Sequence, residues 1–266
     1  MFFTLDNNFN FDGNKMKKTL LILMLIILSA CAGQEPKIKG FNRQKFIAQN
    51  IELTGQVKEI KAGKKLRVYI DGDAKTAGFF RKKTALPYPV AAQLAQKDKY
   101  PYVLYLNRPC YFSDNSICTP PAWEEGRYLP EIIEEMKVAL LRLQQKYKIP
   151  EFEFIGYDGG AAIALLLANR MKGVSIKVYT IAGILNTEQY ALLMDETLHE
   201  DTLNPAKEAF MMSYIPQVHF VGGKDKQVPL VLTKDYTKRI KNPISMQVKS
   251  YPSADHFNWA QFKIEY

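Results

Sequence analysis

Residues 152–164 read Phe152-Glu153-Phe154-Ile155-Gly156-Tyr157-Asp158-Gly159-Gly160-Ala161-Ala162-Ile163-Ala164. The run 152–155 is short, largely apolar and bounded by glycine, which suits a buried strand. Residues 159–171 begin with small side chains and continue through Leu165, Leu166 and Leu167, which suits a helix lying close to a sheet. Between them Gly156-Tyr157-Asp158-Gly159-Gly160 must turn sharply, with Asp158 at the centre. In open α/β sheets, chemistry collects at the carboxyl ends of strands, where this turn falls.

Outward from this stretch the same alternation continues. Residues 51–60 and 66–71 are β-rich runs around Ala62-Gly63-Lys64, which predicts a hairpin. Residues 102–106 and 174–181 suit buried strands, as do 218–221 and 246–251. Residues 89–99, 129–147 and 229–240 have helical periodicity; Pro130 suits a first helical turn and Glu131, Glu134 and Glu135 its positive end. Strands separated by helices predict a mostly parallel sheet with helices on both faces. Residues 185–216 are irregular, with a small helix around 188–194, and too short for a large cap domain.

The predicted strand ends carry four groups: Asp71-Gly72-Asp73, the turn around Asp158, Gly222-Gly223-Lys224-Asp225, and Ala254-Asp255-His256. In chain order they supply a nucleophile position, an acid and a histidine. This arrangement resembles the α/β-hydrolase superfamily. The turn around Asp158 resembles its nucleophile elbow, Asp225 its triad acid and His256 its triad base. Asp71-Gly72-Asp73 resembles its oxyanion loop, with Gly72, Asp73 and Gly159 the implied oxyanion-hole residues. Arg108-Pro109-Cys110 with Cys118 and Trp123 is similar to a group of bacterial α/β-hydrolase-like lipoproteins. The likeness spans most of residues 50–260 and implies a hydrolase.

One residue departs from the pattern. The nucleophile position holds Asp158 where serine enzymes hold Ser. A carboxylate with an ordinary pKa near ~3.9 is ionised at neutral pH and needs no base to activate it. It can attack a saturated carbon and form an alkyl ester, which water activated by a histidine then hydrolyses. Attack on a carboxyl ester would give an anhydride whose better leaving group is the carboxylate itself, so the step runs backward. Haloalkane dehalogenases and epoxide hydrolases resemble the alkyl scheme, although residue 159 is Gly where the dehalogenases carry Trp. A quiet Asp158–His256 ion pair in a ligand- or partner-binding pseudoenzyme fits the same residues. The expected function is a hydrolase of small ester-like or alkyl substrates with an Asp158-Asp225-His256 site, and the pseudoenzyme is the alternative that stays open.

The amino-terminal region reads as a leader. Lys15, Lys17 and Lys18 precede the apolar run 20–28, and Leu28-Ser29-Ala30-Cys31 resembles a bacterial lipobox. The expected division is an upstream extension at 1–15, a lipoprotein-type signal peptide at 16–30, a tether at 31–49 and the hydrolase-like domain at 50–266. Cys31 is the expected lipid attachment, which places the chain in the bacterial cell envelope. In that oxidising setting Cys110 and Cys118 are a plausible disulfide pair.

Hydrophobic residues at 47% and charged residues at 24% are the balance of a folded protein rather than a disordered one. The net charge of +9 is spread along the chain, which suits an anionic membrane surface better than nucleic acid. No glycine-rich phosphate loop is present, so no cofactor is expected, and no metal site is expected either. The expected partners are a small-molecule substrate or ligand and, through the lipid, the membrane.

Overall fold

Side chains alternate between two apolar layers along each central strand, and this alternation sets the architecture. A computed structural model describes residues 35–73, 75–77, 83–85, 89–112 and 125–266. The strands are β1 (Asn42–Ile47), β2 (Glu52–Val57), β3 (Leu66–Ile70), β4 (Lys75–Ala77), β5 (Lys83–Ala85), β6 (Val103–Leu106), β7 (Glu151–Tyr157), β8 (Ser175–Ile181), β9 (Gln217–Gly222) and β10 (Met246–Tyr251). An 8-stranded sheet has the order β1-β2-β6-β3-β7-β8-β9-β10, and β4 and β5 form a separate hairpin. Within the large sheet only β2 runs against its neighbours.

The helices are α1 (Val90–Lys97), α2 (Pro130–Tyr147), α3 (Gly159–Arg170), α4 (Thr187–Met194), α5 (Pro205–Glu208) and α6 (Leu230–Arg239). On one face Leu66, Val68, Leu104, Phe152, Phe154 and Val178 pack with α2, α3 and the end of α6. On the other, Tyr69, Tyr105, Ile155, Tyr157 and Tyr179 pack with α1 and with Trp259 of the carboxyl-terminal segment. The expected α/β architecture is therefore present, with no large cap among the described residues. Between β8 and β9 the chain adds only α4, α5 and a short 3-10 turn at Ala209–Met211.

Helix α3 is buried on all sides down to Asn169, which explains its unbroken run of small and aliphatic residues. It can lie this close because Gly160 has no side chain. A Cβ there would fall 2.2 Å from the Ile70 carbonyl oxygen and 2.5 Å from that of Asp71.

Two expectations need correction. Gly63 does take a left-handed φ of 68° in a turn, but β2 and β3 do not form a hairpin. Strand β6 lies between them, antiparallel to β2 and parallel to β3. Every side chain of β6 is buried, so this strand belongs inside the sheet rather than at its margin. The tether expected at 31–49 is likewise not all tether. Residues 42–47 form β1, and Ile38 is buried in the second core layer. As an edge strand β1 buries only Phe46, so its polar sequence hid a ladder formed by backbone groups.

Segments 1–15 and 16–30, Cys31, Cys118 and Trp123 lie outside the described residues. Cys110 is buried and disulfide-bonded. No helix among the described residues is long and apolar enough to cross a membrane.

The contact of Gly160 with backbone atoms gives a test of this packing. Gly160→Ala forces α3 off β3 and is expected to cost about 3 kcal/mol or more. Gly63→Ala has open space around it and suffers only the left-handed backbone penalty of about 1–2 kcal/mol. Urea denaturation of both variants beside the parent checks the order.

Candidate functional site

The end of β7 sets the geometry. Asp158 follows Tyr157 with φ 51° and ψ −122°, a strained conformation for a residue with a side chain. The strain is held in place by backbone bonds: the Asp158 N–H donates to Ile181 O at 3.0 Å, and its carbonyl accepts from Ala161 and Ile184 at 3.1 Å each. The turn is tight enough that a Cβ on Gly156 would sit 2.4 Å from the Gly160 carbonyl oxygen. The Asp158 carboxylate is thereby presented at the carboxyl edge of the sheet.

Asp225 and His256 come to the same place from the ends of β9 and β10. His256 Nδ1 lies 3.0 Å from Asp225 Oδ2, and His256 Nε2 lies 3.8 Å from Asp158 Oδ1. Asp225 is itself fixed, its Oδ1 accepting from the Gln227 and Val228 N–H groups at 2.9 Å each. The Tyr157 hydroxyl donates to the His256 carbonyl at 2.9 Å. All three expected residues thus meet. Burial works against charge on His256, but its bond to Asp225 and the charges of Asp158, Asp225 and Asp255 outweigh it and raise its pKa.

The expected oxyanion residues divide. The Asp73 N–H donates to Asp158 Oδ2 at 3.0 Å, and the Gly159 N–H bonds the same carboxylate. The Gly72 N–H instead turns to Asp71 Oδ1 at 3.2 Å, so Gly72 supplies no donor to the elbow. What Gly72 supplies is room, because a Cβ there would fall 2.5 Å from Asp158 Oδ2. The expectation for Gly72 is corrected in that sense. The loop donors are already engaged by Asp158's own carboxylate.

A cluster that the sequence did not identify surrounds Asp73. Its Oδ1 meets Arg108 Nη1 at 2.5 Å, and its Oδ2 accepts from the Tyr128 hydroxyl at 2.6 Å and meets Arg127 Nε at 2.8 Å. Burial alone would raise the Asp73 pKa, but Arg127, Arg108 and Tyr128 override it and hold the carboxyl below its ordinary value. Asp158 is pushed the other way, from 3.8 to about 6, first by burial and then by the Asp73 charge, against the pull of His256. Arg108 was visible only as part of the Arg108-Pro109-Cys110 likeness. Nothing in the spacing of Arg127 and Tyr128 points to Asp73.

Asp71 has a different task. It is buried and accepts from the Ala91 and Ala92 N–H groups at 3.2 Å each and from the Tyr105 hydroxyl at 3.1 Å, so it caps α1. His219 lies mid-strand, away from this site, where its Nδ1 shares a 2.8 Å hydrogen bond with the Thr180 hydroxyl. Burial lowers the His219 pKa to about 3, so it stays neutral. Among the described residues no group of three or more His, Cys, Asp and Glu could hold a metal ion.

No known protein-family model matches the chain, and no curated protein matches it in sequence. Solved structures do match it. The Pyrococcus horikoshii acylaminoacyl peptidase superposes with a TM-score of 0.62 at 14% identity, over 89% of this chain and 40% of the peptidase. This chain therefore spans well under half of that enzyme. A Pyrococcus furiosus esterase gives 0.59 at 16% identity, over 87% of this chain and 91% of the esterase. A membrane phospholipase A gives 0.53 at 13% identity, over 92% of this chain and 94% of the lipase. At these identities the likeness is one of fold, and the fold is that of the α/β-hydrolases.

The raised Asp158 pKa has a measurable sign. Between pH 3.8 and about 6 the folded chain holds a proton on Asp158 that the unfolded chain has lost. Stability therefore falls as pH rises across that window. Asp71, raised from 3.8 to about 6 mainly by burial, contributes the same slope. Asp158→Asn removes one of the two contributions, so its stability should decline less steeply than the parent's. Denaturant midpoints across the window check this, and an unchanged slope would contradict the assignment.

Proposed function

We propose that the protein is a hydrolase of alkyl electrophiles, with Asp158 as nucleophile and His256 as base. The observation that carries the reading is the pair of N–H groups from Asp73 and Gly159 on the Asp158 carboxylate. In an acyl-transfer enzyme such donors hold the substrate's oxyanion. Here they hold an oxygen of the enzyme, which argues against ordinary esterase chemistry and suits an enzyme-bound ester.

The steps follow from the geometry. Asp158 Oδ1, the oxygen facing His256, attacks a saturated carbon. The bond to the leaving group breaks: a halide departs with the electron pair, whereas the oxygen of an opened epoxide stays on the neighbouring carbon as an alkoxide and takes a proton from water. His256 Nε2 then takes a proton from water, and the hydroxide adds to the Asp158 Cγ. Negative charge develops on Oδ2, where the Asp73 N–H already points. Collapse breaks the Cγ–Oδ1 bond, and the alcohol leaves with the proton from His256. Esterification also prepares the base, because it removes the Asp158 charge that helps to raise the His256 pKa. A lower His256 pKa favours the neutral form that a base requires.

One feature favours a second reading, a catalytically inactive ligand- or partner-binding protein. The Asp73 carboxylate crowds the start of α3, where a Cβ on Gly159 would lie 2.0 Å from Asp73 Oδ1 and 2.5 Å from the Tyr128 hydroxyl. In either reading the Leu28-Ser29-Ala30-Cys31 sequence supports a lipid anchor on Cys31 and a place in the bacterial cell envelope. The Cys110–Cys118 pair is part of the same proposal.

A trapping experiment separates the two readings. His256→Ala is expected to lower turnover of terminal epoxides or primary alkyl bromides by about 10²–10⁴-fold. The same variant should accumulate an alkyl ester on the Asp158 peptide, read by mass spectrometry, and Asp158→Asn should not. If the parent shows no turnover and His256→Ala no adduct across both probe classes, the hydrolase reading fails and the binding reading stands.

A further inference from the structure

We propose that the carboxyl edge of the sheet, which carries Asp158 and His256, faces the membrane that anchors the chain, so that substrate enters from the lipid phase. The orientation rests on lipid attachment at Cys31, and the substrate class on the hydrolase reading.

Glu35 Oε1 accepts from Asn107 Nδ2 at 2.6 Å. Asn107 directly follows β6, and the register of β6 on β3 places it level with Asp71. The next residue, Arg108, is the one that grips Asp73. Glu35 therefore sits at the site edge of the sheet. From there the chain runs down the second face: Ile38 N–H donates to Gln56 Oε1 at 2.9 Å and Lys39 N–H to Gln96 Oε1 at 3.1 Å. It then enters β1 at Asn42, which pairs with Val57, level with Leu104 and Val68 at the middle of the sheet.

Only residues 32–34 separate the lipid-bearing cysteine from Glu35. A fully extended chain advances at most ~3.6 Å per residue, so Cys31 and Glu35 are within about 14 Å. Glu35 bonds Asn107, beyond the end of β6, so a tether of that length reaches the site edge more readily than the opposite one. The long tether that would permit free tumbling is absent, because the residues that would form it are spent on the Glu35 contact and on β1.

The surface of that edge fits a headgroup layer. Phe257 is 42% exposed, with its ring 4.9 Å from the His256 ring. Val231, 43% exposed, begins α6 just after the loop that carries Asp225. Leu193, 51% exposed, lies on α4, which follows the Ile184 contact with Asp158. Lys224 and Lys226 flank Asp225 and are exposed. Apolar side chains ringed by lysines suit the interface of an anionic bilayer. Exposed apolar residues occur elsewhere, Ile244 at 70% among them, so the short tether decides the orientation and the rim agrees with it.

The test uses the full lipidated chain in vesicles of phosphatidylethanolamine and phosphatidylglycerol with brominated acyl chains. An environment-sensitive dye is placed in turn on Leu193→Cys, Val231→Cys and Ile244→Cys, the last at the opposite edge. Bromine should quench the first two, at depths of about 5–10 Å, and leave the third bright. Equal quenching at all three, quenching at Ile244→Cys alone, or a Cys31 without lipid by mass spectrometry would overturn the orientation. Turnover plays no part in that readout. For the substrate class, the double variant Leu193→Asp and Val231→Asp should lose hydrolysis of a long-chain epoxide dissolved in the bilayer and keep that of a short soluble one. Equal loss on both overturns lipid-phase entry. No turnover of either by the parent overturns the hydrolase reading and leaves the quenching result to decide the orientation.

Discussion

Burying a carboxylate without partners costs several kcal/mol, and this protein buries the carboxylates of Asp71, Asp158 and Asp225 and half-buries that of Asp73 along one edge of its sheet. Each must find donors, and the search for donors fixes the loops. Asp71 takes the N–H groups that open α1 and so sets where that helix begins. Asp73 takes Arg108, Arg127 and Tyr128, which draws the segment after β6 and the approach to α2 over the start of α3. Asp225 takes two N–H groups of its own turn and then His256. Asp158 is satisfied last, by the backbone of the loop that Asp73 anchors. Loss of the Arg108–Asp73 contact would therefore disturb the elbow without touching it.

The readable parts of this arrangement are those governed by local chemistry. A strand, a glycine-rich turn and a small-residue helix are adjacent in sequence, so the elbow could be read from residues 152–164. Asp225 and His256 follow strand ends at turns whose composition marks them. The hidden parts depend on partners far apart in sequence. Arg108, Arg127 and Tyr128 reach Asp73 only once β6 has been placed beside β3, and no local signal reports that placement. The predicted hairpin of β2 and β3 failed for the same reason: a glycine turn encodes a reversal, not which strand comes to lie in the gap. β1 escaped because an edge strand with one buried side chain has no periodicity to detect. The oxyanion loop was found but misassigned within itself, since which of Gly72 and Asp73 donates depends on the path of two peptide planes.

Asp158 at the elbow matters because the backbone around it already presents an N–H donor. A serine at position 158 would leave the Asp73 N–H open to a substrate oxygen, and His256 would have a hydroxyl proton to remove. A carboxylate of two oxygens fills both places at once, one against the N–H groups and one toward the histidine. The same fold then carries an internal oxyanion in its resting state. This is why likeness to an esterase, a peptidase and a phospholipase conveys architecture and not activity here. The chemistry of those enzymes would need the donors that Asp158 already occupies.

The electrostatics of the pair point the same way. Asp158 is buried and the neighbouring Asp73 half-buried, and the two arginines stand on Asp73, not on Asp158. Charge neutralisation is thus placed so that Asp73 stays ionised, while Asp158 is left with backbone dipoles and a histidine 3.8 Å away. A carboxylate stabilised only to that degree keeps more of its basicity than one paired with arginine, and basicity is what a carbon nucleophile requires. If the site served only to lock Asp158 in place, an arginine on Asp158 itself would do so more firmly. The asymmetry between the two carboxylates favours a group that reacts over one that merely binds.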